Sequence, residues 1–205
     1  MATPVAFSIR NDNMYLFRDV AGYYHAVYTG HRNPGNPDYI NDLKNTFNNF
    51  PQSVLDAACG ALRQALRGDL VAVMREMKLD QVMVCVVPRA KVRYEKNQLL
   101  FKATVKEVVN CIAGMVDGTE CIVRKIDTRT THLGRDVRNY NNEGDDPYPG
   151  ITKGTCTISS SVFGKDVLLI DDLYTARVKI DEDVIQALFE HGARSVTFYS
   201  IGKAG

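Results

Sequence analysis

The chain has 205 residues, 45% of them hydrophobic, and its 25 Lys and Arg against 24 Asp and Glu leave a formal charge of +1. That length supports one sizeable core, and the charge balance gives no global pull toward nucleic acid or an anionic membrane. Five scattered cysteines, none at zinc-site spacing, read as reduced thiols of a cytoplasmic protein, and no apolar run approaches the ~20 residues of a membrane helix.

Residues 4–29 read as short β-structure. Val5 to Ile9 is one strand, Asn11-Asp12-Asn13 a turn, and Met14 to Phe17 and Tyr23 to Tyr28 two more strands that the Ala21-Gly22 pair would close into a hairpin. From Gly30 to Asn49 the prolines, glycines and asparagines predict a loop or linker with a short helical turn near Ile40 to Phe47. Residues 1–50 are therefore expected to form a small N-terminal β/helical hood or flanking segment, and residues 51–205 the main domain.

Ser53 is a good N-cap for a helix carrying Leu55, Ala58, Leu62 and Leu66 and ending near Gly68; a second helix follows from Asp69 to Lys78. The unbroken apolar run Val82 to Val87 suits a strand covered on both faces, ending at Pro88-Arg89-Ala90-Lys91. Leu99 to Met115 reads as a helix, and Glu120 to Ile126 as a strand that is basic at its end. The next forty residues are mostly loop, first rich in Arg, Thr and His (Arg129, His132, Arg135, Arg138), then acidic and glycine-rich.

Thr155 to Ser160 is a candidate strand. Val167-Leu168-Leu169-Ile170 is a strand expected to stop on Asp171-Asp172, with the loop Thr175-Ala176-Arg177-Val178-Lys179 after it. Asp181 can cap a helix from Glu182 to His191 that stops at Gly192, and Ser195 to Ile201 is the last strand. This β-loop-α-β unit predicts a right-handed parallel crossover within an α/β fold whose mainly parallel sheet is flanked by helices.

Three polar segments follow apolar strands and are expected to meet at one sheet edge: Pro88 to Lys91, Arg124 to His132, and Asp171 to Lys179. Cations and backbone N–H groups bind phosphate, whereas paired carboxylates accept from both hydroxyls of a sugar diol. Together they fit a phosphorylated sugar.

The stretch Val167 to Lys179 resembles the signature of the type I phosphoribosyltransferases, an apolar strand running into two acids and a short threonine/glycine loop before a helix. Val86 to Lys91 looks like that family's pyrophosphate segment. Arg124 with Thr128, His132 and Arg138-Asn139 resembles the branch related to competence protein F and amidophosphoribosyltransferase-like proteins. The likeness spans about residues 80–203.

It implies a phosphoribosyltransferase-like fold binding phosphoribosyl pyrophosphate with Mg²⁺, or a related ribose phosphate or nucleotide. Asp171 and Asp172 would grip the ribose and meet the metal indirectly, through the ligand and water. Thr175, Ala176, Arg177, Val178 and Lys179 would hold the 5-phosphate, and Pro88, Arg89, Ala90 and Lys91 with Arg124 the pyrophosphate. Arg129, His132 and Arg138 are further candidates for substrate binding, and a homodimer or a regulatory protein partner is in keeping with such a domain.

One departure stands out, because Arg177 occupies the position where the family loop has glycine. A loop needing φ > 0 there disfavours arginine. This motivates two rival expectations: a catalytically inactive nucleotide-sensing module acting through a partner protein, and a nucleotide N-glycosidase-like effector.

Overall fold

The computed structural model describes residues 3–12, 14–134 and 136–205; Asn13 of the predicted turn and Arg135 of the basic loop lie outside them. Among the described residues the strands are β1 (Val5–Ile9), β2 (Val20–Tyr28), β3 (Val82–Val86), β4 (Met115–Asp117), β5 (Ile122–Arg124), β6 (Cys156–Ile158), β7 (Asp166–Tyr174) and β8 (Ser195–Ala204). The α-helices are α1 (Tyr39–Lys44), α2 (Gln52–Met77), α3 (Leu100–Val109), α4 (Ile151–Thr155) and α5 (Ile180–Glu190). Six strands form one sheet in the order β1-β2-β8-β7-β3-β4, parallel throughout except where β1 pairs antiparallel with β2. The α/β expectation holds.

The central strands are apolar on both sides because both sides are covered. Val167 and Leu169 of β7 point into one cluster with Cys85, Phe198 and the α5 residues Val184, Ile185 and Leu188. Leu168 and Ile170 point the other way, against Leu62, Leu66 and Leu70 of α2 and Val105 and Val108 of α3. Two buried polar contacts seat α2 on the sheet: Asp69 accepts from Tyr199 Oη at 2.9 Å and lies 2.8 Å from His25 Nδ1.

Several expectations are corrected. Met14 to Phe17 is not a strand, and Ala21 and Gly22 lie inside β2, where they pair with Ser8 and Phe7 of β1. The hairpin therefore joins β1 to β2, and β2 runs parallel to β8, so residues 5–28 form an edge of the main sheet instead of a piece beside it. The physical reason is the pairing capacity of β8, whose free edge beyond β7 needs a partner for its backbone groups.

The two helices expected on either side of Gly68 are one 26-residue helix. A glycine inside a helix costs about 1 kcal/mol relative to alanine, but Leu62, Leu66, Leu70 and Val73 keep one buried stripe in register across it. Its N-cap is Pro51, not Ser53. Helix α3 ends before Met115 because the chain turns through Gly114 at φ 83, where a Cβ would lie 2.5 Å from the Asp80 carbonyl oxygen, and Met115 then starts β4 beside β3.

The strand predicted at residues 120–126 leaves the main sheet: β5 pairs antiparallel with β6 as a separate ribbon. The long loop is also interrupted by α4, whose N-terminal Gly150 and Thr152 N–H groups donate to Asp183 of α5 at 2.6 and 2.7 Å. Among the described residues no helix is long and apolar enough to cross a membrane.

Candidate functional site

The site grows from the way β3 and β7 part company. Their pairing ends at Val86 with Ile170, the Val87 N–H still donating to the Ile170 carbonyl at 2.9 Å, whereas β7 stays paired with β8 through Tyr174 and Lys203. After β3 the chain goes by way of α3 to β4 on one side, and after β7 it goes by way of α5 to β8 on the other. The loops diverge and leave a crevice at the carboxyl ends of the strands, the place where open α/β sheets bind ligands.

Asp171 and Asp172 stand in that crevice. The strand does not stop on them, as the apolar run alone implies, but carries them within β7, held from one side by β8. Two adjoining lobes, about 590 and 400 Å³, open around them and share Lys44, Arg89, Arg124, Asp171 and Asp172 as common walls. The larger lobe is walled by Leu99, Phe101, Ile122 and Val123, with Lys91 and Arg93 at its border. The smaller takes in Ala90, Arg129, His132, Thr175, Val178 and Asp181.

The acids are unequal. The Asp172 N–H donates to Asp171 Oδ1 at 2.8 Å, and Asp172 Oδ1 lies 3.2 Å from Lys44 Nζ. Burial, then the charge of Asp172, pushes the Asp171 carboxyl up to about 7. Burial and Asp171 likewise hold Asp181 well above the usual carboxylate range, the two side chains being in hydrogen-bond contact. Asp181 is 5% exposed, and no N–H or O–H donor among the described residues reaches its Oδ1. It does not cap the helix that follows; the cap position is Lys179. Burial alone would lower the Lys44 pKa, but the charges of Asp172 and Asp171 outweigh it and hold the ammonium above its ordinary value.

The predicted cations are anchored to the scaffold. Arg124, buried at the end of β5, donates to the Arg89 carbonyl at 3.1 Å, the Pro88 carbonyl at 3.5 Å and Thr155 Oγ1, so it shapes the 88–91 loop from beneath although its strand is not in the main sheet. Arg89 donates to the Gln98 carbonyl and its guanidinium lies 4.1 Å from the centre of the Tyr94 ring. Lys91 Nζ reaches the Glu143 carbonyl at 2.6 Å, and Thr128 N–H closes on the Ala90 carbonyl at 2.8 Å. Arg129 pairs with Asp146 and donates to the Leu133 carbonyl. His132 is exposed, 3.3 Å from Thr46 Oγ1, and desolvation by the residues around it, then Lys44, pushes its pKa down to about 4.

The loop after β7 is only half in the site. Thr175 and Val178 line the smaller lobe, and the Val178 N–H closes a turn on the Thr175 carbonyl at 3.0 Å. Ala176 and Arg177 are exposed outside both lobes, as is Arg138. Lys179 pairs with Glu182 at 3.3 Å. The left-handed residue is Lys179, at φ 65, and not Arg177, so the glycine position of the family signature carries no positive φ here.

Lys44, Tyr94 and Asp181 are the site residues that sequence reasoning passed over. Lys44 sits in a segment whose prolines, glycines and asparagines read as loop or linker, and Asp181 reads as a helix cap. An acid in the first turn of a helix that follows an acidic strand end is the signal available for Asp181; nothing local marks Lys44. No protein-family model matches the chain, and no curated protein matches it either. The class is set by architecture and site: an α/β domain with a mainly parallel sheet and an acidic pair at its switch point.

Proposed function

We propose that this chain is a phosphoribosyltransferase-like domain that binds phosphoribosyl pyrophosphate or a related ribose phosphate. The observation that carries the reading is the position of Asp171 and Asp172 at the junction of two lobes, beyond the end of β3 and beside the Pro88–Lys91 loop. A ribose gripped there by its hydroxyls would send its 5-phosphate toward Thr175 and Val178 and its anomeric carbon toward the larger lobe. That lobe, with Phe101 and aliphatic walls, has room for a flat nitrogenous acceptor or leaving base.

Carboxylate oxygens suit Mg²⁺, which keeps several waters and takes one or two carboxylates with substrate phosphates. Such an ion would be carried mainly by the ligand, with Asp171 and Asp172 meeting it through water. When bound, the ion would neutralise charge developing on the pyrophosphate. The chain's own contribution is to orient the ribose and hold the loops that face the phosphates, and in such a reaction positioning and charge do most of the work.

The test is calorimetric titration of phosphoribosyl pyrophosphate with Mg²⁺, followed by assay of released pyrophosphate with a panel of nucleobases. Binding with release supports the transferase; binding without release favours the nucleotide-sensing alternative, which Arg177, exposed outside both lobes at the glycine position, motivates. No binding would remove the reading.

A further inference from the structure

Each cation that the resemblance assigns to the pyrophosphate is tied to the scaffold through at least one main-chain carbonyl. Arg89, Arg124 and Lys91 donate to main-chain carbonyls, those of Gln98, of Pro88 and Arg89, and of Glu143. Turning any of them toward a ligand would strip a hydrogen bond from the fold and leave a carbonyl unpaired.

Lys44 differs. It is the last residue of α1, its side chain is 19% exposed, and it borders both lobes beside the 88–91 loop. Its partner is the Asp172 carboxylate at 3.2 Å, itself a ligand-facing group. An ammonium has three donors, so a single carboxylate contact leaves others for oxygens entering the cavity. A ribose hydroxyl donating to Asp172 would also spread that carboxylate's charge and weaken its hold on Lys44. A pyrophosphate with its greater charge then competes well for the ammonium.

Resting on the ribose-phosphate reading, we propose that Lys44 is the mobile cation of the site, a ligand-binding residue that bridges Asp172 to the pyrophosphate group. Helix α1 thereby supplies a cation whose partner is itself a ligand-facing group, whereas those of the 88–91 loop and β5 are tied to main-chain carbonyls.

The test separates the two ends of the ligand. Inorganic pyrophosphate with Mg²⁺, and ribose 5-phosphate, are each titrated calorimetrically into wild type, Lys44→Met and Lys44→Arg. Wild type is expected to bind both; Lys44→Met should weaken pyrophosphate at least about tenfold, the order of one lost charge-assisted contact, and ribose 5-phosphate less than about threefold, with Lys44→Arg recovering most of the loss. Unchanged pyrophosphate binding in Lys44→Met, or equal loss of both ligands, overturns the inference while the ribose-phosphate reading stands. Wild type that binds neither ligand overturns both. Should Lys44→Met not fold, amine acylation of wild type read by mass spectrometry decides: saturating pyrophosphate should shield Lys44, and an unaltered rate would count against it.

Discussion

Asp171 of β7 and Asp181 of α5 meet carboxyl to carboxyl in the smaller lobe of the cleft; burial raises both pKa values, Asp172 adding to the rise at Asp171 and Asp171 to the rise at Asp181. An acid whose folded pKa exceeds its unfolded value holds its proton better in the folded chain. The stability it contributes is present at low pH and is lost as pH climbs from about 4, the unfolded value, through about 7, the folded value of Asp171. Asp181→Asn replaces a carboxyl that must hold its proton with an amide donor that does not titrate. The variant should melt about 2–4 °C above wild type at pH 8, the equivalent of about 1 kcal/mol in a chain this size, and the gap should close at pH 4.5. Parallel melting curves at the two pH values would show that the pair does not share a proton.

Asp172→Asn addresses the ribose contact. The side chain is 21% exposed and its loss of charge leaves Lys44 without its anion. Affinity for ribose 5-phosphate should fall about tenfold or more, since a hydrogen bond to a charged acceptor contributes about 1.5–3 kcal/mol, while circular dichroism remains that of wild type. Unchanged binding by calorimetry would defeat the ribose assignment.

Arg124→Met should act first on stability. It leaves the Pro88 and Arg89 carbonyls and Thr155 Oγ1 without their buried donor. Thr155 Oγ1 keeps its bond to the Ile151 carbonyl, and the two carbonyls left short of a donor cost about 2–4 kcal/mol together, measurable as a lower urea midpoint at constant slope. A loss below about 0.5 kcal/mol would mean that the guanidinium does not hold the loop, and would return Arg124 to the ligand.

The loop after β7 offers a paired comparison. Arg177→Gly should destabilise by about 0.5–1 kcal/mol, because it loosens the unfolded chain where no positive φ needs relief. Lys179→Gly, at φ 65, relieves a strained conformation worth about 1–2 kcal/mol, partly offset by the lost pair with Glu182, so it should be neutral or mildly stabilising. The opposite order in thermal melts would place the demanding residue at 177.

The doubly covered strands were legible because Val82 to Val87 and Val167 to Ile170 are apolar without alternation, a pattern with one good physical explanation. The crevice residues Asp171, Asp172 and Pro88 to Lys91 followed from the ends of those runs. What escaped was set by partners distant in sequence. Local pattern does not say that β2 pairs with β8, that Glu120 to Ile126 joins a ribbon with residues 156–158, or that Lys44 crosses to Asp172. The same blindness explains Gly68, a local stop signal overridden by the stripe α2 buries, and the arginines, whose carbonyl partners are visible only in three dimensions.

The pairing of β2 with β8 also orders events in time. Gly22 meets Phe198 and Tyr28 meets Ala204, residues roughly 175 positions apart, and the sheet has no edge for β2 until β8 is in place. During synthesis the first hairpin must therefore wait, exposed, while the rest of the chain leaves the ribosome. Its tyrosine-rich strand is the segment a chaperone would be called on to guard, and the last one to come to rest.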